Sequence, residues 1–234
     1  MKNLCIIPAR GGSKRIPRKN IKPFMGKPII AYSIEAALES GLFDEVMVST
    51  DDEEMAEIAK QYGASVPFFR SAETANDYAT TVDVLLEVIN CYKERGRRFD
   101  FVCCLYSTAP FVNSQKLKTA YSEMVEGGYD STYTIVEYSY PIQRSLKVCD
   151  GKVTMRWPEY AKSRSQDLEK SYHDAGQFYF TSTKQLIERK ALKGDNTKGF
   201  ILSELDVQDL DTMTDWKLAE LKFGLISKSE EDTI

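Results

Sequence analysis

The chain has a single histidine and no Cys-x-x-Cys pair, so it lacks the ligand supply of an ordinary zinc site. It has no apolar run near the roughly 18 residues that a membrane helix needs. Met1-Lys2-Asn3-Leu4-Cys5-Ile6-Ile7-Pro8 holds only four apolar residues in a row, too few for the core of a signal peptide. There is no excess of positive charge. Thirty-one basic and 35 acidic side chains give −4, which argues against a generally cationic nucleic-acid binder and leaves a local basic patch open. Neither Gly-x-x-x-x-Gly-Lys-Ser/Thr nor Gly-x-Gly-x-x-Gly occurs, so the chain is not an ordinary P-loop ATPase or dinucleotide enzyme. No internal repeat or low-complexity block is visible. The five cysteines are an odd number; Cys5, Cys103 and Cys104 lie in apolar runs and Cys91 in a helical pattern. They read as reduced, mostly buried thiols of a cytoplasmic protein.

What is present is a globular composition. Of 234 residues, 42% are hydrophobic and 11% aromatic, enough for one sizeable core. The length fits a single domain, 1–234, with a substantial insertion. Residues 4–7 form a short apolar run, followed by a loop rich in glycine and base. In 28–40, Ile30, Ile34, Ala37 and Leu38 fall at helical spacing, with Gly41 as the stop. A strand is expected at 45–49. Thr50 and Glu53 have capping-box spacing for a helix ending at Gly63. A short strand is expected at 66–69. Thr80 and Asp83 form a second capping box, ahead of a stripe of Val82, Leu85, Leu86 and Ile89. Residues 101–105 are nearly all apolar, as in a strand covered on both faces, and 113–126 is helical.

This alternation predicts an α/β fold with a doubly wound, mostly parallel sheet. Its ligand crevice would lie at the strands' carboxyl ends, in the loops after Ile7, Ser49, Phe69 and Leu105. The rhythm then changes. Strands are expected at 131–137, 142–148 and 153–156, with Asp150-Gly151 as a hairpin signal. A polar segment, 159–173, precedes strands at 176–181 and near 200–202 and a helix over 212–225. Residues 137–172 read as an inserted arm. The polar tail 227–234 is expected to fray.

The most informative segment is Pro8-Ala9-Arg10-Gly11-Gly12-Ser13-Lys14-Arg15-Ile16-Pro17-Arg18-Lys19-Asn20. It sets five cations directly after a buried strand in an acidic chain. Gly11 and Gly12 allow close backbone approach, and Arg and Lys suit phosphate oxygens. The chemistry is that of a polyphosphate loop; a solvated basic surface loop is the plainer alternative. Asp209-Leu210-Asp211 places two carboxylates at i and i+2, on one face if extended, a hard-oxygen pair suited to Mg²⁺. The same stretch also fits a helix start, because Thr212 and Asp215 have capping-box spacing. Arg70 stands at a strand end. Thr80 and Thr81 divide helix capping and ligand contact between them. The lone His173 reads as structural, and Tyr106 is a packing or pocket residue.

Ile7-Pro8-Ala9-Arg10-Gly11-Gly12-Ser13-Lys14 with Ile16-Pro17-Arg18-Lys19-Asn20 resembles the nucleotide motif of the acylneuraminate cytidylyltransferases, the CMP-sialic acid synthetases. The resemblance continues through Ser49-Thr50-Asp51, Phe69-Arg70, 105–110, 164–168 and 208–211. Arg164-Ser165-Gln166-Asp167-Leu168 and the segment 172–179 are most similar to the pseudaminic acid branch. His173-Asp174-Ala175-Gly176 replaces an Arg-Pro-Asn-Gly-like segment of typical sialic acid enzymes, and Tyr106 a usual Gln.

The resemblance implies a Rossmann-like nucleotidyltransferase fold whose β-rich arm serves dimerisation. It implies CMP transfer from CTP to a nine-carbon sugar acid, without nucleic acid or membrane, on Mg²⁺, by a homodimer. It assigns Ala9, Arg10, Gly11, Gly12, Ser13, Lys19, Asn20, Arg70, Thr80 and Thr81 to the nucleotide. Tyr106, Ser107, Thr108, Arg164, Gln166, Tyr172 and His173 fall to the sugar, with Arg164 for its carboxylate. Asp209 and Asp211 fall to the metal, Asp206 being a lesser helper. Arg10, Lys19 and Asp211 are the catalytic set. The general base stays open between a metal-bound hydroxide and Asp211. N-acetylneuraminic, legionaminic and 3-deoxy-octulosonic acids remain alternative substrates, and a non-catalytic nucleotide binder a more distant alternative. Bacterial flagellin glycosylation or a surface polysaccharide is the implied destination.

Overall fold

The computed structural model describes residues 1–231. In chain order they form β1 (Asn3–Pro8), β2 (Pro23–Phe24), β3 (Lys27–Pro28), α1 (Ile29–Ser40), β4 (Glu45–Ser49), α2 (Glu53–Gln61), α3 (Ala72–Ala75), α4 (Thr81–Glu94), β5 (Phe101–Leu105) and α5 (Ser114–Glu126). Then follow β6 (Ser131–Glu137), β7 (Leu146–Cys149), β8 (Lys152–Met155), β9 (Tyr172–Ser182), α6 (Thr183–Arg189), β10 (Thr197–Leu202) and α7 (Met213–Glu231).

The main sheet has the order β10-β6-β9-β5-β1-β4. β4 and β5 run parallel to β1 on its two sides, and β10 runs parallel to β6. Only β9 is reversed, pairing antiparallel with β5 and β6. The chain leaves β1 toward β4 and returns to β5 on the other side, so the switch point lies between β1 and β5. The loop 8–20 and the turn at 106–108 meet there.

Alternation along β1 builds both core faces. Cys5 and Ile7 pack with Ile30, Ile34 and Ala37 of α1 and Leu117, Ala120 and Met124 of α5. Leu4 and Ile6 pack with Leu85, Val88, Ile89 and Tyr92 of α4. A third cluster joins Ile16 of the basic loop, Phe24, Ile29, Phe111, Leu210, Trp216 and Ala219. Phe24 sits edge-on to Trp216 and Phe223, with ring centroids 5.5 Å from each. This cluster fastens α7 and the stretch before it against the loop after β1.

Most expected elements form, and the differences have local causes. Residues 66–69 make no strand; the edge of β4 is met only by a single bridge at Ser65, after which Arg70 N donates to Thr50 O at 2.8 Å. Helix α2 is capped by Asp52, whose Oδ1 accepts from Met55 N at 2.9 Å. Thr50 is buried, and its hydroxyl accepts from Asp52 N, so the Thr50/Glu53 box does not form. The Thr80/Asp83 box does form, in both directions. Residues 142–144 are a 3-10 turn before β7, and Asp150 (φ 49°) and Gly151 (φ 73°) make the β7–β8 turn. β9 begins at Tyr172, which moves Tyr172 and His173 from the polar segment into the sheet, with a register shift opposite 133–135. α7 continues through the polar tail to Glu231, while the fraying expected at 232–234 lies outside the described residues.

Phe24→Ala empties the centre of the third cluster and is expected to cost about 3–5 kcal/mol. Thr80→Ala removes one cap and is expected to cost about 1 kcal/mol. Chemical denaturation of each purified variant measures both.

Candidate active site

Two cavities open side by side at the switch point and share Tyr106 and Thr108 as a common wall. The first, of about 520 Å³, is lined by Arg10, Ser13, Lys14, Arg15, Lys19 and Asn20 of the basic loop and faced by Arg70, Thr80, Thr81 and Ser107. The second, of about 400 Å³, is lined by His173, Asp174, Gln177, Asp209 and Lys222 among others.

The loop is shaped by its own polar bonds. Ala9 is buried and extends the β1–β4 ladder, its N–H donating to Ser49 O at 2.9 Å. Gly11 N–H donates to Asp51 Oδ1 at 2.9 Å, and a side chain at Gly11 would meet Asp52 Oδ2 at 3.0 Å. That approach belongs to the 51–52 turn; neither Gly11 nor Gly12 lines a cavity. Asn20 Nδ2 donates to Arg10 O, and Ser107 Oγ donates to Asn20 Oδ1, each at 3.0 Å. Asn20 thus ties the loop to the turn after β5.

Each of the five loop cations has a partner. Arg10 and Lys14 both pair with Asp77, at 2.7 and 2.5 Å. Arg15 pairs with Asp211 at 2.5 Å, and Arg18 with Asp52 and Glu54. Lys19 Nζ donates to Leu210 O at 2.7 Å. Burial pushes the Lys19 ammonium below its usual pKa, and the nearby Asp211 and Asp209 oppose that shift. The amino-terminal loop and the aspartate stretch, 191 residues apart at the Lys19 bond, are therefore neighbours, although Asp209 lines only the second cavity and Asp211, paired with Arg15, lines neither.

Leu210 is buried in the third cluster, while the carboxylates flank it. Thr212 and Asp215 exchange the reciprocal bonds of a capping box, so the helix start is built without the Asp211 carboxylate. Asp209 has no ion pair among the described residues, which contain no cluster of three or more metal-ligating side chains. Two hard-oxygen donors fit an ion that takes one or two carboxylates and completes its shell with substrate phosphates and water, as Mg²⁺ does.

Arg70 is buried beneath the first cavity. Its Nε donates to Ser49 Oγ at 3.1 Å and its Nη2 to Ser49 O at 2.7 Å. Burial lowers its pKa, and Asp51 and Glu87 oppose this. Thr80 caps α4, Thr81 Oγ1 lies 3.5 Å from Tyr106 OH, and both line the first cavity. Burial raises the pKa of Tyr106. Behind it, Tyr179 OH donates to Asp174 Oδ1 at 2.8 Å, and Asp174 pairs with Lys193 at 2.5 Å. His173 lines the second cavity and packs its ring on Tyr138 at 4.8 Å.

Arg164, Gln166 and Tyr172 are exposed and line neither cavity. Arg164 forms a fork with Asp167, at 2.7 and 3.1 Å. Asp206 pairs with Lys116 at 2.7 Å and stands outside both cavities. The residues that sequence reasoning missed are Asp77, Lys193 and Lys222. None has a local pattern marking it; only their contacts reveal them.

A polyphosphate-sized basic cavity at the switch point of a doubly wound sheet, beside a carboxylate pair, has the construction of a nucleotidyltransferase. Residues 4–193 match the Cytidylyltransferase family, and the chain belongs to it. It is 46% identical over 230 residues to a pseudaminic acid cytidylyltransferase of Campylobacter jejuni, covering 98% of this chain and 99% of that one. It is 35% identical to a CMP-N,N'-diacetyllegionaminic acid synthase of Legionella pneumophila, over 94% of this chain and 95% of that one. A solved CMP:2-keto-3-deoxy-manno-octonic acid synthetase complexed with CTP has the same fold, with a TM-score of 0.69 at 19% identity, over 97% of this chain and 100% of that one.

Asp77 holds two cations that a triphosphate would need. Asp77→Asn is expected to tighten CTP binding by up to about fivefold, the scale of an exposed ion pair. Calorimetric titration checks it; unchanged or weaker binding shows that carboxylate and phosphate do not compete. Lys14 first, then Arg10, hold Asp77 below the usual carboxylate range. Its pairing is present above the ordinary carboxylate pKa and lost as pH falls through the depressed one, so the effect is expected to be constant across neutral pH.

Proposed function

We propose that the protein transfers CMP from CTP to the anomeric hydroxyl of pseudaminic acid, giving CMP-pseudaminic acid and pyrophosphate. The observation that carries this is the pair of cavities sharing Tyr106 and Thr108, one lined by the basic loop and the other reaching Asp209. The substrate follows from the similarity to the Campylobacter jejuni enzyme over nearly the whole of both chains.

In the reaction the sugar's anomeric oxygen bonds to the α-phosphorus of CTP. The bond from that phosphorus to the oxygen bridging to the β-phosphate breaks, pyrophosphate leaves with that electron pair, and the hydroxyl proton passes to solvent. Two anions must meet, so catalysis is mostly positioning and charge stabilisation. Arg10, Lys14 and Lys19 bind the phosphates, and Asn20 keeps the loop in place. Arg70, Thr80 and Thr81 face the nucleoside side. Tyr106, Ser107 and Thr108 form the wall against which the sugar lies, with His173 on its far side. Asp209 and Asp211 are the residues that would hold a Mg²⁺ ion, which would supply charge neutralisation for the triphosphate. Lys19, anchored on Leu210 O, keeps a cation between that pair and the loop.

A homodimer is part of this reading. The β7–β8 hairpin of the arm 137–172 exposes Leu146, Val148 and Val153, an apolar face suited to a second copy. Arg164, Gln166 and Tyr172 would serve the sugar site across that interface. A cytoplasmic site of action belongs to the same reading, supported by five cysteines that are free thiols in the structure. The product would feed flagellin glycosylation or a surface polysaccharide.

Lys19→Ala and Asp211→Ala are each expected to lower turnover by at least about 100-fold, the scale of one lost transition-state contact. Near-normal pyrophosphate release by a folded variant removes that residue from the mechanism. Magnesium chelation is expected to abolish release. Among pseudaminic, N-acetylneuraminic, legionaminic and 3-deoxy-octulosonic acids, pseudaminic acid is expected to give the highest kcat/KM. A clear preference for another acid refutes the substrate and leaves the cytidylyl transfer.

A further inference from the structure

The second cavity has the wrong charge for the acid it is proposed to hold. Glu137, Asp174, Glu204 and Asp209 line it, and a sugar carboxylate would enter among four of its own kind. Two of them are offset locally, Asp174 by Lys193 at 2.5 Å and Glu137 by Lys170 at 2.8 Å. Those lysines lie outside the lining and are committed to their partners. Arg164, paired with Asp167 on the arm, lines no part of this cavity within its own chain. Among the described residues, one lysine or arginine lines the cavity: Lys222, from the middle of α7.

Lys222 is already oriented. Its Nζ donates to Glu204 O at 3.0 Å and to Val207 O at 2.7 Å. An ammonium has three donors, so one remains. The helix and the two carbonyl bonds fix where the charge stands, and its side-chain entropy is largely spent before a ligand arrives. The two carbonyls belong to the stretch that leads into Asp209, which lines the same cavity.

We propose that Lys222 is the specificity-determining residue that receives the carboxylate of the sugar acid. This rests on the cytidylyltransferase reading above and extends it to a residue on α7. The remaining N–H of Lys222 donates to the carboxylate, while its other two donors hold the 204–207 stretch.

The test compares pseudaminic acid with its uncharged carboxamide, using CTP and pyrophosphate release. Wild-type enzyme is expected to favour the acid by about tenfold or more in kcat/KM, the scale of one charge-assisted bond. Lys222→Met is expected to raise the KM for the acid by about 10–100-fold, to leave the KM for CTP within about twofold, and to lose the preference for acid over amide. Lys222→Arg is expected to restore most of that preference. A purely structural role would penalise acid and amide alike and would raise the KM for CTP as well; that pattern overturns the proposal. So does an unchanged KM for the acid in Lys222→Met. Should Lys222→Met not fold, judged by its melting curve, Lys222→Gln keeps a donor for Val207 O and is read in the same way. Equal use of acid and amide by the wild type overturns the proposal whatever the variants do. A wild type that releases no pyrophosphate with CTP and any of the sugar acids refutes the underlying reaction, which separates the two failures.

Discussion

The convergence of charge in this protein depends on an apolar contact. Ile16 and Leu210 are buried in one cluster with Phe24 and Trp216. Ile16 sits amid the five cations of the loop, and Leu210 between the two aspartates. Burying these side chains together brings the polar neighbours of each within reach, and Lys19 and Arg15 then find Leu210 O and Asp211. Exposed ion pairs are individually weak and screened by salt. They could not by themselves hold segments so distant in the chain. The hydrophobic cluster sets the distance, and the charges decide what is recognised there.

The second constraint is neutralisation. Five cations in one loop would repel one another, and here Asp77, Asp211, Asp52 and Glu54 answer four of them, while a backbone carbonyl answers Lys19. Arg70 is a different case. It is buried, its guanidinium is held on the carboxyl end of β4, and Asp51 and Glu87 stand near enough to favour its charge. Loop cations with carboxylate partners can exchange them for phosphate oxygens; an arginine fixed to Ser49 keeps its place.

The parts of the fold that were readable in advance are those where one local rule acts alone. Glu45–Ser49, Phe101–Leu105 and Ser131–Glu137 are apolar or alternating runs that form strands with the expected limits. The Thr80/Asp83 box formed because nothing else competes for Thr80. Thr50 has the same spacing to Glu53 but is buried beside Met55, and Asp52 supplies the cap instead. Residues 66–69 look like a strand, but Arg70 turns back onto Thr50 and Ser49 before pairing can extend. Among the candidate site residues, the basic loop announces itself by composition, whereas Asp209-Leu210-Asp211 fits a helix start as well as a metal pair and is singled out by the family resemblance. Asp77 and Lys222 do not, since an aspartate in a loop and a lysine on a helix are ordinary surface residues. Only the fold brings them to a cavity wall.

The shared wall at Tyr106 and Thr108 also divides the chain. Everything lining the first cavity comes from residues 8–108, and apart from that wall and its neighbours Ala109 and Phe111, the second cavity draws on residues 136–222. On the proposed reading, the donor half and the acceptor half of the enzyme are thus written in sequence one after the other, with the join in a single turn after β5. Such a layout lets the acceptor pocket drift, or be exchanged between relatives, while the nucleotide pocket is inherited intact. One ancestral scaffold can in this way yield a set of enzymes that activate different acids with the same nucleotide.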